Sequence, residues 1–115
     1  MLNSSMLISR GYDVGAGDYI TMPRFEVAHI KEQGVNLIIV PLASTFGRLS
    51  STEQNARTRQ LQISANAAGL AGTVVTVWDG GENRMGFLAP SGFRPFFSGL
   101  SLSQVHQRLN KEISW

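Results

Sequence analysis

The chain has 115 residues, a formal net charge of +2 and no cysteine, and 43% of its residues are hydrophobic. This length predicts a single domain, residues 1–115, with enough apolar side chains to form a buried core. The lack of cysteine excludes disulfides, thiolate catalysis and thiolate-bound metals. The chain contains no apolar run of about 18 residues, as a membrane helix requires, and its first residues do not match a signal peptide. We therefore expect a cytoplasmic protein with no membrane partner.

The first part of the chain, residues 1–23, has no clear hydrophobic period and is interpreted as an N-terminal arm or extension. Its glycine-rich stretch, residues 11–17, is typical of turns. The segment from Tyr19 to Met22 suits a short strand at the edge of a sheet. The arm is therefore predicted to add one edge strand at most.

A predicted β-hairpin follows the arm. Residues 25–31 alternate between apolar and polar side chains, which is typical of a strand. A tight turn at residues 32–34 leads into residues 35–42, an almost wholly apolar segment that predicts a central strand buried on both faces. Because Pro41 has no amide hydrogen, strand pairing should weaken there on at least one side.

Two capping sequences, which begin at Ser50 and Ser101, predict the starts of two helices. The first helix should run to about Ala68. Its side predicted to face the sheet contains Ala56, Leu61, Ile63, Ala67 and Ala68, and its side predicted to face water contains Asn55, Arg59, Gln62 and Asn66. In the second helix, the residues Leu102, Val105, Leu109 and Ile113 recur at helical spacing. This stripe predicts a helix that includes Ile113.

Between the helices, residues 73–78 and 85–89 read as two strands joined by a turn that begins at Asp79. The order β-β-α-β-β-α predicts an α+β fold, with a four- to five-stranded mixed sheet and both helices on one face. That arrangement leaves the other face of the apolar central strand uncovered. The arm, the loop after residue 89 or a second copy of the chain must then cover it, and this is the argument for a homo-oligomer.

The loop from Ala89 to Gly99 contains three phenylalanines within five positions, and its prolines and glycines predict an irregular structure. Large aromatic rings must be shielded from water, and three alternatives remain open for what shields them. The loop packs into the core, forms a subunit interface, or lines an apolar ligand pocket together with the two tryptophans. The predicted ligand or interface residues are Phe93, Arg94, Phe96, Phe97, Trp78 and Trp115.

His29 and Asp79 are the weaker candidates for a site. A catalytic or metal-binding histidine needs a second ligand or an orienting carboxylate. No spacing of His, Asp and Glu in the chain matches a known metal or catalytic motif, and no phosphate-binding loop is present. We expect no metal, no cofactor and no catalytic residue, with a small enzyme whose cleft surrounds His29 and Asp79 as an alternative.

Nucleic-acid binding is a second alternative, because Arg94 lies between Phe93 and Phe96 and single strands are bound by interleaved basic and aromatic residues. Arg48, Arg57 and Arg59, on and just before the first helix, are the other arginines that could contact phosphates. The small net charge argues against this function, since binding to phosphates needs several clustered cations.

The C-terminal part of the chain, from about Ala68 to Trp115, contains Ala-Gly-Leu-Ala-Gly-Thr-Val-Val-Thr-Val-Trp, then Phe-Leu-Ala-Pro, Pro-Phe-Phe and a closing Leu-Asn-Lys-Glu-Ile-Ser-Trp. In these segments it resembles small bacterial proteins of the kind carried as mobile gene cassettes in integrons. The resemblance implies a bacterial, cytoplasmic accessory protein and no catalytic residue. Together with the residue patterns, it favours a homo-oligomeric binding or interaction module for a small molecule or a protein.

Overall fold

The computed structural model describes residues 24–114. The predicted arm, residues 1–23, and Trp115 lie outside the described residues. The five strands are β1 (Arg24–Glu32), β2 (Val35–Pro41), β3 (Thr73–Asp79), β4 (Met85–Leu88) and β5 (Lys111–Ser114). The helices are α1 (Ser51–Ala67), α2 (Arg94–Ser98) and α3 (Leu102–Gln107), with two 3-10 helices at Ser44–Arg48 and Ser91–Phe93. Within the described part of the chain, no helix has the length and apolar character needed to span a bilayer.

The strands form one mixed sheet in the order β4-β3-β2-β1-β5. β2 pairs with β1 in antiparallel and with β3 in parallel orientation, so α1 is the crossover between two parallel neighbours. This confirms the α+β class and the mixed sheet. Pro41 pairs with Val77 of β3, whereas the β1 register ends at Ile39. Pairing is thus lost on one side of Pro41, as its missing amide hydrogen predicts.

Each face of the sheet has its own apolar cluster, because successive side chains of a buried strand point in opposite directions. The cluster on the α1 face consists of Val27, Ile38, Val40, Leu61, Ala65, Val74 and Ile113. The cluster on the α3 face consists of Ala28, Leu37, Ile39, Val75, Val77, Phe97 and Val105. The helices therefore lie on opposite faces, which differs from the expectation that both share one face. The chain after β4 crosses to the face that α1 leaves open.

The side of α1 that packs on the sheet matches only in part the side that its apolar residues predict. Leu61 is buried there, as expected. Ile63 is 66% exposed, whereas the predicted water-facing Gln62 is half-buried at the sheet. The Gln62 side-chain amide donates to the Gly72 carbonyl and its oxygen accepts from the Val74 amide, at 2.9 and 2.8 Å. These two bonds satisfy backbone groups where β3 begins, and this explains why a glutamine lies at the helix–sheet contact.

α3 begins as its sequence predicts but ends earlier. Ser101 and Gln104 form a complete capping box, and the helix stops at Gln107. The predicted helical stripe through Ile113 is therefore wrong beyond this point. Residues 111–114 instead form β5, which pairs with Arg24–Val27 at the edge of β1. The pairing satisfies backbone groups of β1 that would otherwise lack partners, and it buries Ile113 in the cluster on the α1 face.

The segment predicted to be an irregular loop contains the short helix α2. Pro95 occupies the first turn of this helix, where a missing amide hydrogen breaks no helical bond. Phe97 is 1% exposed and belongs to the cluster on the α3 face. Of the three alternatives for this loop, packing into the chain's own core is the one that the structure shows for Phe97.

Candidate functional site

The candidate site lies where the parallel strands β2 and β3 end. In sheets with parallel strands, ligands commonly bind in a crevice outside the carboxyl ends of the strands. After β2 the chain forms the 3-10 helix Ser44–Arg48, and after β3 it turns at Gly80 and Gly81. Two clefts lie at this edge, and both have residues of the 3-10 helix in their walls.

The first cleft, here called the apolar cleft, has a volume of about 290 Å³. It lies between the β2–α1 connection and α1. Its walls are formed by Phe25, Leu42, Ala43, Phe46, Leu49 and Leu61, and its polar side chains are Thr45, Arg57 and Gln60. Apolar walls with a few polar groups are typical of small-molecule sites.

The apolar cleft has a positive rim. None of its lining residues is acidic. Among residues 24–114, the ion pair within 4.0 Å is Arg24–Glu112 on the exposed surface, so Arg57 has no carboxylate partner there. The Thr45, Arg57 and Gln60 side chains also make no hydrogen bond to the described residues. These donors are therefore available to a ligand.

The second cleft, here called the polar cleft, has a volume of about 330 Å³ and is lined by Ser44, Gly47, Arg48, Trp78, Asp79, Gly80 and Gly81. The Trp78 indole contacts the Phe46 ring, with centroids 5.0 Å apart. A Cβ atom at Gly47 or Gly86 would overlap the indole ring. Trp78 is thus held by neighbours on several sides, and Phe46 connects the walls of the two clefts.

The structure does not bring the predicted tryptophan and phenylalanine residues together. Trp78 lies four residues after Val74 on β3, so the two side chains point to the same face, that of α1, whereas Phe97 lies on the α3 face. The sheet separates the Trp78 and Phe97 side chains. A shared pocket of Trp78 with the phenylalanine loop is therefore not formed, and Trp115 lies outside the described residues.

His29 and Asp79 are also far apart. His29 pairs with Ile38 and Ile38 pairs with Val74. Asp79 is five residues further along β3, or about 16 Å at the usual rise of a strand. The His29 imidazole donates from Nε2 to the Ala71 carbonyl at 2.8 Å. The Asp79 carboxylate accepts from the Gly81 amide at 2.9 Å.

These bonds give His29 and Asp79 structural roles. The two residues are too far apart to form an acid–base pair. Within residues 24–114, no three His, Asp or Glu side chains gather as metal ligands would.

Three rings of the phenylalanine segment contact the core or one another. Phe97 packs edge-on against Phe96 and lies near Phe87, with centroids 5.0 and 5.7 Å apart. Phe93 and Phe96 are half-buried against the same cluster. Arg94 is exposed at the start of α2. Base stacking needs an open ring face, and Phe93 and Phe96, the rings on either side of Arg94, are partly covered by the core, which gives the nucleic-acid alternative little support.

The residues that line the apolar cleft include several that the sequence did not single out as a site, among them Phe46, Leu49 and Gln60. The sequence indicates Arg48 and Arg57 only as possible contacts to nucleic acid. A usable signal was present, because residues 42–50 follow a buried strand and precede a capped helix. In a parallel pair this position marks the ligand-binding edge.

No family model, curated protein or solved structure matches this chain. The resemblance to integron cassette proteins therefore stays a prediction.

Proposed function

We propose that the protein is a binding module whose small, largely apolar ligand occupies the apolar cleft. The observation that carries this proposal is the cleft itself: about 290 Å³ of space, lined mostly by apolar side chains, between α1 and the chain that follows β2. Its walls come from the β2–α1 connection, from α1 and from Phe25 of β1, so the fold of the chain without a ligand already contains the site. Transfer of an apolar ligand from water into such a site lowers its free energy.

The side chains in the clefts support binding more than catalysis. No histidine lines either cleft, and the one carboxylate, that of Asp79, already accepts the Gly81 amide in its turn. General acid–base catalysis needs a titratable group within hydrogen-bond reach of the reacting atom. The lining residues therefore favour a site that holds a molecule unchanged.

The test is an amide NMR titration of the full chain with 2-naphthalenemethanol, a neutral apolar probe. We expect saturable shifts in residues 42–49 and 57–61. Ala43→Phe adds a ring at the wall of the cleft and should abolish these shifts. Ala67→Phe, at the exposed end of α1, is the matched control and should preserve them. A titration without saturable shifts at the cleft would contradict the proposal.

Self-association, the other part of the predicted function, stays a proposal on changed grounds. The open sheet face that motivated it is covered by α2 and α3 of the same chain. Among the described residues, the exposed large apolar side chains are Val35 and Ile63. We propose Ile63, on the outer side of α1, as the contact between copies. Light scattering should then give the mass of a dimer for the full chain and of a monomer for Ile63→Arg, and a monomer mass for the unchanged chain would contradict this proposal.

A further inference from the structure

We infer that the ligand of the apolar cleft carries one carboxylate group, which Arg57 binds at the rim; this inference rests on the proposed function. The ligand class is thus a compact apolar or aromatic monocarboxylate. The inference follows from the charge and position of the polar side chains around the cleft, taken in three steps.

The first step is the unpaired charge of Arg57. Arg57 lines the cleft and makes no ion pair within 4.0 Å among residues 24–114. Glu53 lies one turn earlier on α1, but its carboxylate accepts from the Ser50 hydroxyl instead. A guanidinium presents its N–H groups in a planar fork that matches both oxygens of a carboxylate. Such charge-assisted bonds are about twice as strong as neutral ones. An anionic ligand is therefore favoured over a neutral ligand of the same shape.

The second step is the arrangement of donors along α1. Arg57 and Gln60 are three residues apart, which places them on neighbouring positions of one helix face, and both line the cleft. The Gln60 amide has no hydrogen-bond partner among the described side chains and backbone groups. It is available as a second donor beside the guanidinium. Two adjacent donors above apolar walls suit an acid whose hydrocarbon part points inward.

The third step concerns ligands that carry a positive charge or two negative charges. Arg57 is the one cation among the lining residues and no carboxylate is present, so an organic cation would meet repulsion. A phosphate ester carries about two negative charges at neutral pH, and its sites usually combine several cations with backbone amides. A single arginine with one amide matches a monoanion better.

The experiment compares four naphthalene probes that share one ring system: 2-naphthoate, 2-naphthalenemethanol, 2-naphthylmethylammonium and 2-naphthyl phosphate. Calorimetric or NMR titration of the full chain should show that naphthoate binds about tenfold tighter than the alcohol, as one charge-assisted bond predicts. The phosphate should gain nothing over naphthoate, and the ammonium probe should bind most weakly.

Arg57→Gln should remove the preference for naphthoate, so that naphthoate and the alcohol bind with similar affinities. Arg59→Gln is the matched control, because Arg59 is exposed on the same helix but does not line the cleft. If the alcohol binds and naphthoate shows no Arg57-dependent gain, the inference is overturned and the proposed function stands. If no probe binds, the proposed function itself fails.

Discussion

At the scale of single residues, the position of the Trp78 indole depends on two neighbouring residues that have no side chain. Its indole lies against Gly47 and Gly86, and a Cβ atom on either glycine would overlap ring atoms. Gly86 is the direct cross-strand partner of Trp78 in β4. Because Phe46 also contacts the ring, the indole has little room to move away. Glycine at position 86 is therefore required by packing rather than by backbone conformation.

We expect Gly86→Ala to lower the free energy of unfolding by about 1–3 kcal/mol, because an added methyl group in a packed site forces neighbours to shift. Urea denaturation followed by tryptophan fluorescence measures this change. Gly92→Ala is the control, since a Cβ atom there would meet nothing within 4 Å, and it should change stability by no more than about 0.5 kcal/mol. Equal stability of the two variants would refute the proposed packing of Trp78.

At the scale of secondary structure, β5 is the element in which tertiary contacts prevail over local pattern. Asn110 precedes β5, and its side chain accepts from the His29 amide and donates to the His29 carbonyl, at 2.8 and 3.0 Å. The side chain thus extends the pairing of β1 by one step before the strand begins. Ile113 then enters the cluster on the α1 face and becomes 1% exposed.

Ile113→Ala should lower the free energy of unfolding by about 2–5 kcal/mol, since it removes a buried side chain and leaves a cavity. Glu112→Ala, at the neighbouring exposed position, serves as the control. It removes only the surface ion pair with Arg24, which is worth less than about 1 kcal/mol. Backbone chemical shifts of residues 111–114 should be those of a strand, and helical shifts would show that the pattern-based prediction was correct after all.

At the scale of the whole molecule, the main feature is that one chain covers both faces of its own sheet. α1 covers the first face as the crossover between β2 and β3, and the segment from Phe93 to Leu109 covers the second. Phe97 is among the largest fully buried side chains. The second face is therefore closed by local aromatic residues without the help of another subunit.

We expect Phe97→Ala to destabilise the fold by about 3–5 kcal/mol, as for other buried phenylalanines, and to leave the native mass in light scattering unchanged. Arg94→Ala, an exposed change on the same short helix, should alter stability by no more than about 0.5 kcal/mol. An interface role for this helix predicts the reverse pattern, with a change in mass for Phe97→Ala and little change in the stability of the monomer.

Much of the fold followed from patterns that act over a few residues. The apolar run at residues 35–42 indicated a strand covered on both faces, and four of its residues are fully buried. The Ser50 and Ser101 hydroxyls accept helix amides as their spacing predicts. Pro41 ends pairing on one side, and Asp79 supports the turn that follows β3. Backbone stereochemistry and hydrogen bonding decide such features locally, so the sequence suffices for them.

The remaining features depend on which elements meet. Gln62 points inward because its side chain bonds backbone groups of Gly72 and Val74, where β3 begins. Ile63, the next residue on the helix, therefore points outward. The hydrophobic period of the helix does not predict this, because it says nothing about the backbone groups of another segment. Residues 111–114 form a strand because the edge of β1 was free to pair with them. The cleft beside Arg57 exists because the chain after β2, the α1 helix and Phe25 of β1 meet around one space. Only the assembled sheet brings these groups together, since they come from separate parts of the chain.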